Sequence, residues 1–159
     1  MRLLIFFALF IDGTFGDANA NPLDEINREH SICFAREYSN KEMSEHPAQT
    51  VRAMHVDLSQ QPDLRDPTVY LNMKLVVNGQ NYDSFLICDR NSNGLHCAVE
   101  CDGGQAEIAT IGDDGIQFLN KGFMMSGGCG GGEEGEPVVW LNPSPHGDDV
   151  FNLPTAPCE

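Results

Sequence analysis

The amino-acid sequence predicts an all-β domain: a small antiparallel barrel or sandwich of about eight short strands, with room for one short helix, stabilised by disulfides. Three observations support this fold class. Apolar and polar residues alternate over short segments, turn residues separate these segments at roughly ten-residue spacing, and six cysteines are spread along the chain. Alternation with a period of two is typical of half-buried strands rather than helices.

The N-terminus has the pattern of a secretory signal peptide. Arg2 precedes an apolar run over residues 3–11, and small residues stand at Ala18 and Ala20. The alternatives are a membrane anchor and a buried core segment. Nine residues reach only about 14 Å as a helix, half of a bilayer, so we predict cleavage before Asn21.

Length and charge define the rest of the organisation. The chain has 159 residues and a formal net charge of −15. We predict a signal peptide over residues 1–20, a flexible lead-in over residues 21–31, and a single disulfide-rich β-domain over residues 32–159. The negative charge excludes nucleic acid as a partner. We expect no membrane insertion after signal cleavage, and a protein exported to the periplasm or the extracellular space.

The first elements follow from apolar spacing and capping. Ile32, Phe34 and Tyr38 predict a strand. Ser39 and Glu42 form a capping-box pattern, which predicts one or two helical turns over residues 40–46. The next strand is predicted by apolar residues at alternate positions, Met54, Val56 and Leu58.

The clearest local signal is a hairpin over residues 68–88. Asn78-Gly79 is the strongest two-residue turn signal, because both residues tolerate the positive φ of a type I′ turn. The turn fixes the register, and this register matches apolar residues on one face. The predicted pairs are Val77 with Gln80, Leu75 with Tyr82, Met73 with Ser84, Leu71 with Leu86, Val69 with Cys88, and Lys74 with Asp83 on the outer face.

A second hairpin follows, with turn chemistry over residues 89–94. We expect Cys88 to lie opposite Cys97, with Leu95, Cys97, Val99 and Cys101 on the inward face. Later strands are predicted at 106–111, 116–120, 138–141 and 150–151, and a flexible acidic loop is predicted at 127–137. The predicted core is Val69, Leu71, Met73, Leu75, Leu86, Val99, Ile108, Ile116 and Phe118.

The six cysteines predict up to three disulfides in an oxidising compartment. Six cysteines allow fifteen pairings, and strand register and position favour one set among them. A metal or redox site at Cys97 and Cys101 beside His96 is the competing interpretation, but the spacing lacks a C-x-x-C pair. The favoured pairs are Cys88–Cys97, Cys101–Cys129 and Cys33–Cys158.

Residues 89–100 fit the calcium-loop pattern of an EF-hand. The pattern places candidate ligands at Asp89, Asn91, Asn93 and Glu100. Strand context on both sides opposes an EF-hand, because Glu100 on an extended strand would lie about 20 Å beyond the turn. A calcium contact at the hairpin tip without Glu100 stays open, and we expect a turn rich in Asn and Asp for backbone reasons.

No other constellation predicts chemistry, so we expect no catalytic residue, no metal site and no cofactor. The adjacent acids are interpreted as solvated turn residues, and His55 and His96 are placed on outward strand faces. The residues concerned are the acids Asp113, Asp114, Asp148 and Asp149 and the histidines His30, His46, His55, His96 and His146.

One pattern of residues resembles a group of uncharacterised small exported bacterial proteins. The resemblance covers about residues 33–158, and its most specific part is residues 97–104. It implies an exported, disulfide-rich β-domain and no particular activity, and the calcium-loop pattern is not part of it. The residues that carry it are Cys33, His46-Pro47-Ala48-Gln49-Thr50-Val51, Cys97-Ala98-Val99-Glu100-Cys101-Asp102-Gly103-Gly104, Gly128-Cys129-Gly130-Gly131 and Cys158.

The sequence leaves three functions open. The first is a non-enzymatic binding or structural module with an unknown protein or small-molecule partner. The second is a lipocalin-like binder of a small apolar ligand inside the barrel. The third is an envelope enzyme or enzyme inhibitor. An interior cavity above about 300 Å³ would favour the second, and clustered histidines and carboxylates in a cleft would favour the third.

Overall fold

A computed structural model describes residues 21–27, 29–60, 68–126 and 138–158. Within these residues the chain forms nine strands, one short helix and one 3₁₀ turn at Pro22–Glu25. The helix α1 spans Asn40–Glu45. The strands are β1 Ile32–Glu37, β2 Val51–Gln60, β3 Val69–Val77, β4 Gln80–Asn91, β5 Gly94–Ala98, β6 Gly104–Ile111, β7 Gly115–Ser126, β8 Val139–Leu141 and β9 Val150–Ala156.

The strands close into an antiparallel barrel, which confirms the predicted fold class. Strands β1 to β7 follow one another around the barrel, β9 pairs with β7, and β9 pairs back to β1. The remaining strand, β8, extends the sheet beside the far end of β7. Closure matters for the site below, because β9 and β1 pair at two positions, fewer than any other neighbouring strands of the ring.

The β3–β4 hairpin has the predicted register at every pair, including Lys74 opposite Asp83. Asn78 and Gly79 adopt φ values of 51° and 76°, as a type I′ turn requires. Helix α1 also begins as predicted. The Ser39 side chain accepts from the Glu42 backbone N–H, and the Glu42 side chain accepts from the Ser39 backbone N–H.

The β4–β5 hairpin confirms Cys88 opposite Cys97, but two details differ from expectation. Pairing continues to Asn91 and Gly94, so the turn is shorter than the predicted loop. The inward placement of Cys101 is wrong, because β5 ends at Ala98 and Cys101 is an exposed turn residue with φ of 58°.

The early end of β5 has a local cause in the following glycines. Val99 donates its N–H to the Gly104 carbonyl at 2.9 Å, which closes a tight connection to β6. Gly104 has φ of +87°, and a Cβ there would lie 2.0 Å from the Gly122 carbonyl oxygen. Only glycine fits this close approach. Val99 follows the last residue of β5 and is partly buried rather than fully buried.

The other predicted core residues are all buried, and they belong to one apolar cluster inside the barrel. Phe118 lies at its centre, with ring centroids 5.9 Å from Phe123 and 6.3 Å from Phe151. Part of the lead-in joins the cluster, since Leu23 and Ile26 are buried and Arg90 donates to both of their carbonyl oxygens.

Two predicted disulfides are present, Cys88–Cys97 and Cys33–Cys158. Cys101 is also disulfide-bonded. Its predicted partner Cys129 lies outside the described residues, as do the signal peptide and the acidic loop at 127–137. Within the described part of the chain, no helix is long and apolar enough to cross a membrane.

Candidate functional site

The barrel has a seam where β1 and β9 separate. The two strands pair only at Cys33 with Ala156 and Phe34 with Thr155. Beyond these pairs the gap is bridged by a side chain. Arg36 donates from Nη1 to the Asn152 carbonyl oxygen at 3.2 Å.

Arg36 is held in place on two further sides. Its Nη2 donates to Glu42 Oε1 at 3.1 Å, and its guanidinium carbon lies 4.7 Å from the centre of the Tyr38 ring. The ion pair is about one third exposed on both sides, so its contribution to stability is small. The ion pair links α1, through Glu42, to β1, through Arg36.

The electrostatics of the seam follow from these contacts. The pKa of Glu42 is lowered from 4.5 to about 2, first by the backbone N–H of Ser39, then by the Ser39 hydroxyl and by Arg36. Burial raises the pKa of Tyr38 above its ordinary value, while Arg36 opposes that rise. Glu42 is therefore a carboxylate, and Tyr38 a neutral phenol, at neutral pH.

A buried carboxylate links the turn before β9 to the start of β2. Asp148 is 3% exposed and accepts from the backbone N–H of Thr50 at 2.9 Å and of Val51 at 3.1 Å. The Thr50 hydroxyl donates to the same carboxylate. On the other side, the Asn120 side chain donates to the Asp148 carbonyl oxygen at 2.7 Å.

The prediction that Asp148 is a solvated turn residue is therefore wrong. Its carboxylate accepts from the backbone N–H groups of Thr50 and Val51 at the start of β2, and buried backbone donors need such partners. The neighbouring Asp149 is half-buried, whereas Asp113 and Asp114 are exposed turn residues as expected. Adjacent acids in this chain thus have different roles, and only tertiary contacts distinguish them.

The turn that carries Asp148 packs tightly against the segment before β2. A Cβ on Gly147 would lie 2.4 Å from the Ala48 carbonyl oxygen, so only glycine permits this contact. The preceding residue, His146, adopts φ of 64°, which is uncommon for a residue with a side chain. The contact brings His146 to the same cleft as His46.

These elements enclose an open, mostly polar cleft of about 310 Å³, which we call the seam cleft. The sequence analysis treated these histidines as scattered, and no feature of the sequence connects His46 with His146. The residues lining the seam cleft are Arg36, Tyr38, Glu42, His46, Gln49, His146, Gly147, Asp149, Val150 and Asn152.

The seam cleft can hydrogen-bond a polar ligand, but it is not a preformed metal centre. Among the described residues, the three metal-ligating side chains whose ligand atoms lie within 4.8 Å of one another are Cys33, Asp57 and Cys158, which lie outside the cleft. Among the described residues that line the cleft, the one hydroxyl is the phenol of Tyr38.

The other sequence candidates lie apart from the seam cleft. Asp89 and Asn91 belong to β4, and Asn91 Oδ1 accepts from the Asn93 backbone N–H at 2.8 Å. That hydrogen bond gives the asparagines a turn-forming role. His96 is exposed and His55 is half-buried.

Comparisons of the chain with protein-family models, curated proteins and solved structures returned no match.

Proposed function

We propose that this protein is an exported, non-enzymatic binding module that recognises a polar group of its partner in the seam cleft. The observation that carries the proposal is the contrast between the apolar interior of the barrel and the polar seam cleft. The described interior is filled by packed apolar side chains, whereas the seam cleft offers two imidazoles and two carboxylates to solvent.

The filled interior argues against a lipocalin-like ligand. An eight-stranded barrel is just wide enough for side chains to fill it or for one small ligand. Here Phe34, Phe118, Phe123 and Phe151 are fully buried in that space. Phe118 packs edge to face against Phe123, and four phenylalanine side chains inside the barrel favour recognition from outside it.

Charge supports a partner that is neutral or basic. The chain carries −15, and the carboxylates of Glu42 and Asp149 line the cleft. A cationic or hydrogen-bond-donating group would be attracted to this surface, whereas a phosphate-rich partner would be repelled. The disulfides support export, because such bonds persist in oxidising compartments, and the sequence of residues 1–20 supports it independently.

Native mass spectrometry of protein purified from its own periplasm tests the proposal. We expect a bound species on the wild-type chain and on the control variant His96→Ala, whose imidazole is exposed elsewhere on the barrel. We expect His46→Ala and His146→Ala to lose it. Retention of the bound species by both cleft variants would contradict the proposal, as would a wild-type chain that carries nothing.

An envelope enzyme is the second candidate, favoured by one specific observation. His46 and His146 share the seam cleft with Glu42 and Asp149, and imidazoles beside carboxylates are the groups that general acid–base catalysis uses. The same experiment separates the two functions. A binding module returns the captured species with unchanged mass after incubation, whereas an enzyme converts it to a product of different mass.

A further inference from the structure

A carboxylate and two sulfurs meet on the outer face of β1 and β2. Cys33 lies directly opposite Asp57 in the β1–β2 register, and the disulfide brings Cys158 to the same place. A carboxylate oxygen of Asp57 and the two Sγ atoms lie within 4.8 Å of one another. While the sulfurs are bonded to each other they are not metal ligands, because the ligand is the thiolate.

Asp57 carries a second, independent indication of a ligand. Its Oδ1 is buried and has no hydrogen-bond partner among the described residues. The same holds for Nε2 of His55, which lies two residues earlier and hence on the same face of β2. A buried carboxylate oxygen without a donor costs free energy, and a cation beside it would remove that cost.

We propose that the reduced chain binds one thiophilic divalent cation, of the class of Zn²⁺, through Cys33, Cys158 and Asp57. A dithiol reductant transfers two electrons and two protons to the disulfide, the S–S bond breaks, and the dithiol becomes a disulfide itself. The cation then displaces the two thiol protons to water and forms two metal–sulfur bonds and one metal–oxygen bond. Three protein ligands leave one tetrahedral position for water.

The local backbone allows this change. Two thiolate sulfurs on one tetrahedral zinc lie about 3.7 Å apart, given Zn–S bonds of roughly 2.3 Å, so the sulfurs must separate. Cys33 is 2% exposed and fixed within β1. Cys158 is exposed and follows the end of β9, outside any regular element, so its side chain can move. The disulfide is the form expected after export, and the cation site belongs to the reduced form.

Titration of the full chain with Co²⁺ tests the proposal. The protein is reduced with a phosphine, which is oxidised to its oxide with oxygen from water and offers no thiol to compete for the metal. Visible d–d absorption reports tetrahedral coordination, and a thiolate charge-transfer band reports sulfur ligands. The variants are Asp57→Asn, Cys33→Ser and the matched control Asp83→Asn, an exposed carboxylate on β4.

We expect one Co²⁺ per reduced chain, a thiolate band in wild type and in Asp83→Asn, and no such band in the oxidised chain. Asp57→Asn should weaken binding at least tenfold, roughly the loss seen when a metal site loses a supporting group. All chains in the titration also carry Cys101→Ser and Cys129→Ser, because reduction would otherwise free the thiol of the exposed Cys101 to bind Co²⁺. In this background Cys33→Ser should lose the thiolate band, since Cys88 and Cys97 are fully buried and Cys158 supplies a single sulfur.

Four results would overturn the proposal. They are unchanged affinity in Asp57→Asn, a thiolate band that persists in Cys33→Ser, equal binding by the oxidised chain, and a reduced chain that loses its dispersed amide NMR spectrum and does not regain it with metal.

Discussion

Replacing Asp148 by alanine tests the buried carboxylate that links the turn before β9 to the start of β2. The substitution removes the acceptor of two backbone N–H groups, those of Thr50 and Val51, and of the Thr50 hydroxyl. The hydroxyl can turn to water, but the N–H of Val51 cannot, because Val51 is 0% exposed.

The expected loss of stability in Asp148→Ala follows from the number of donors that lose their acceptor. A buried donor without a partner costs about 1–3 kcal/mol, and two backbone donors are affected. Together the two donors would cost about 2–6 kcal/mol, and water entering the vacated space recovers part of that cost, so we expect a loss of about 2–4 kcal/mol. Such a loss is a large fraction of the roughly 5–15 kcal/mol that stabilises a typical domain.

Equilibrium unfolding in urea, with the disulfides intact, measures this loss. Asp149→Ala is the matched control, because it removes an adjacent, half-buried carboxylate and should change stability by less than about 1 kcal/mol. Asp148→Asn should give an intermediate loss, since its amide keeps one acceptor oxygen. A loss below about 1 kcal/mol for Asp148→Ala, or one equal to that of the control, would refute the structural role of the carboxylate.

Three further predictions concern the core, the cap and the hairpin tip. Leu71→Ala should destabilise by roughly 2–5 kcal/mol in urea unfolding, because Leu71 is 0% exposed; a loss below about 0.5 kcal/mol would contradict its inward placement. The Glu42 carboxyl should titrate near pH 2 by carbon NMR. Because its folded pKa is lowered, its contribution to stability is present above pH 4.5 and is lost as the pH falls towards 2; a midpoint near 4 would disagree. Millimolar Ca²⁺ should leave the melting temperature nearly unchanged, since stabilisation grows as RT ln(1 + [L]/Kd), and a rise of several degrees would place a calcium site at the 89–93 turn.

The sequence by itself determined the local pairing of the barrel. The β3–β4 register follows from Asn78-Gly79 and from alternation, because a two-residue turn and one buried face each fix the same pairs. The Cys88–Cys97 bridge follows from the same alternation of inward and outward residues in the next hairpin, which places the two cysteines opposite each other. The capping box at Ser39 and Glu42 is equally local. These features involve residues within about twenty positions, where spacing alone decides which side chains meet.

Only the tertiary structure decided how the barrel closes and where a cleft opens. His46 and His146 meet because the 146–148 turn docks on the segment before β2, a contact that depends on Gly147 and on the buried carboxylate of Asp148. In the sequence, Asp148 and Asp149 are indistinguishable neighbours. Their burial differs because one accepts from the N–H groups at the start of β2 and the other lines the cleft. Closure of the ring sets that difference, and no local pattern encodes it.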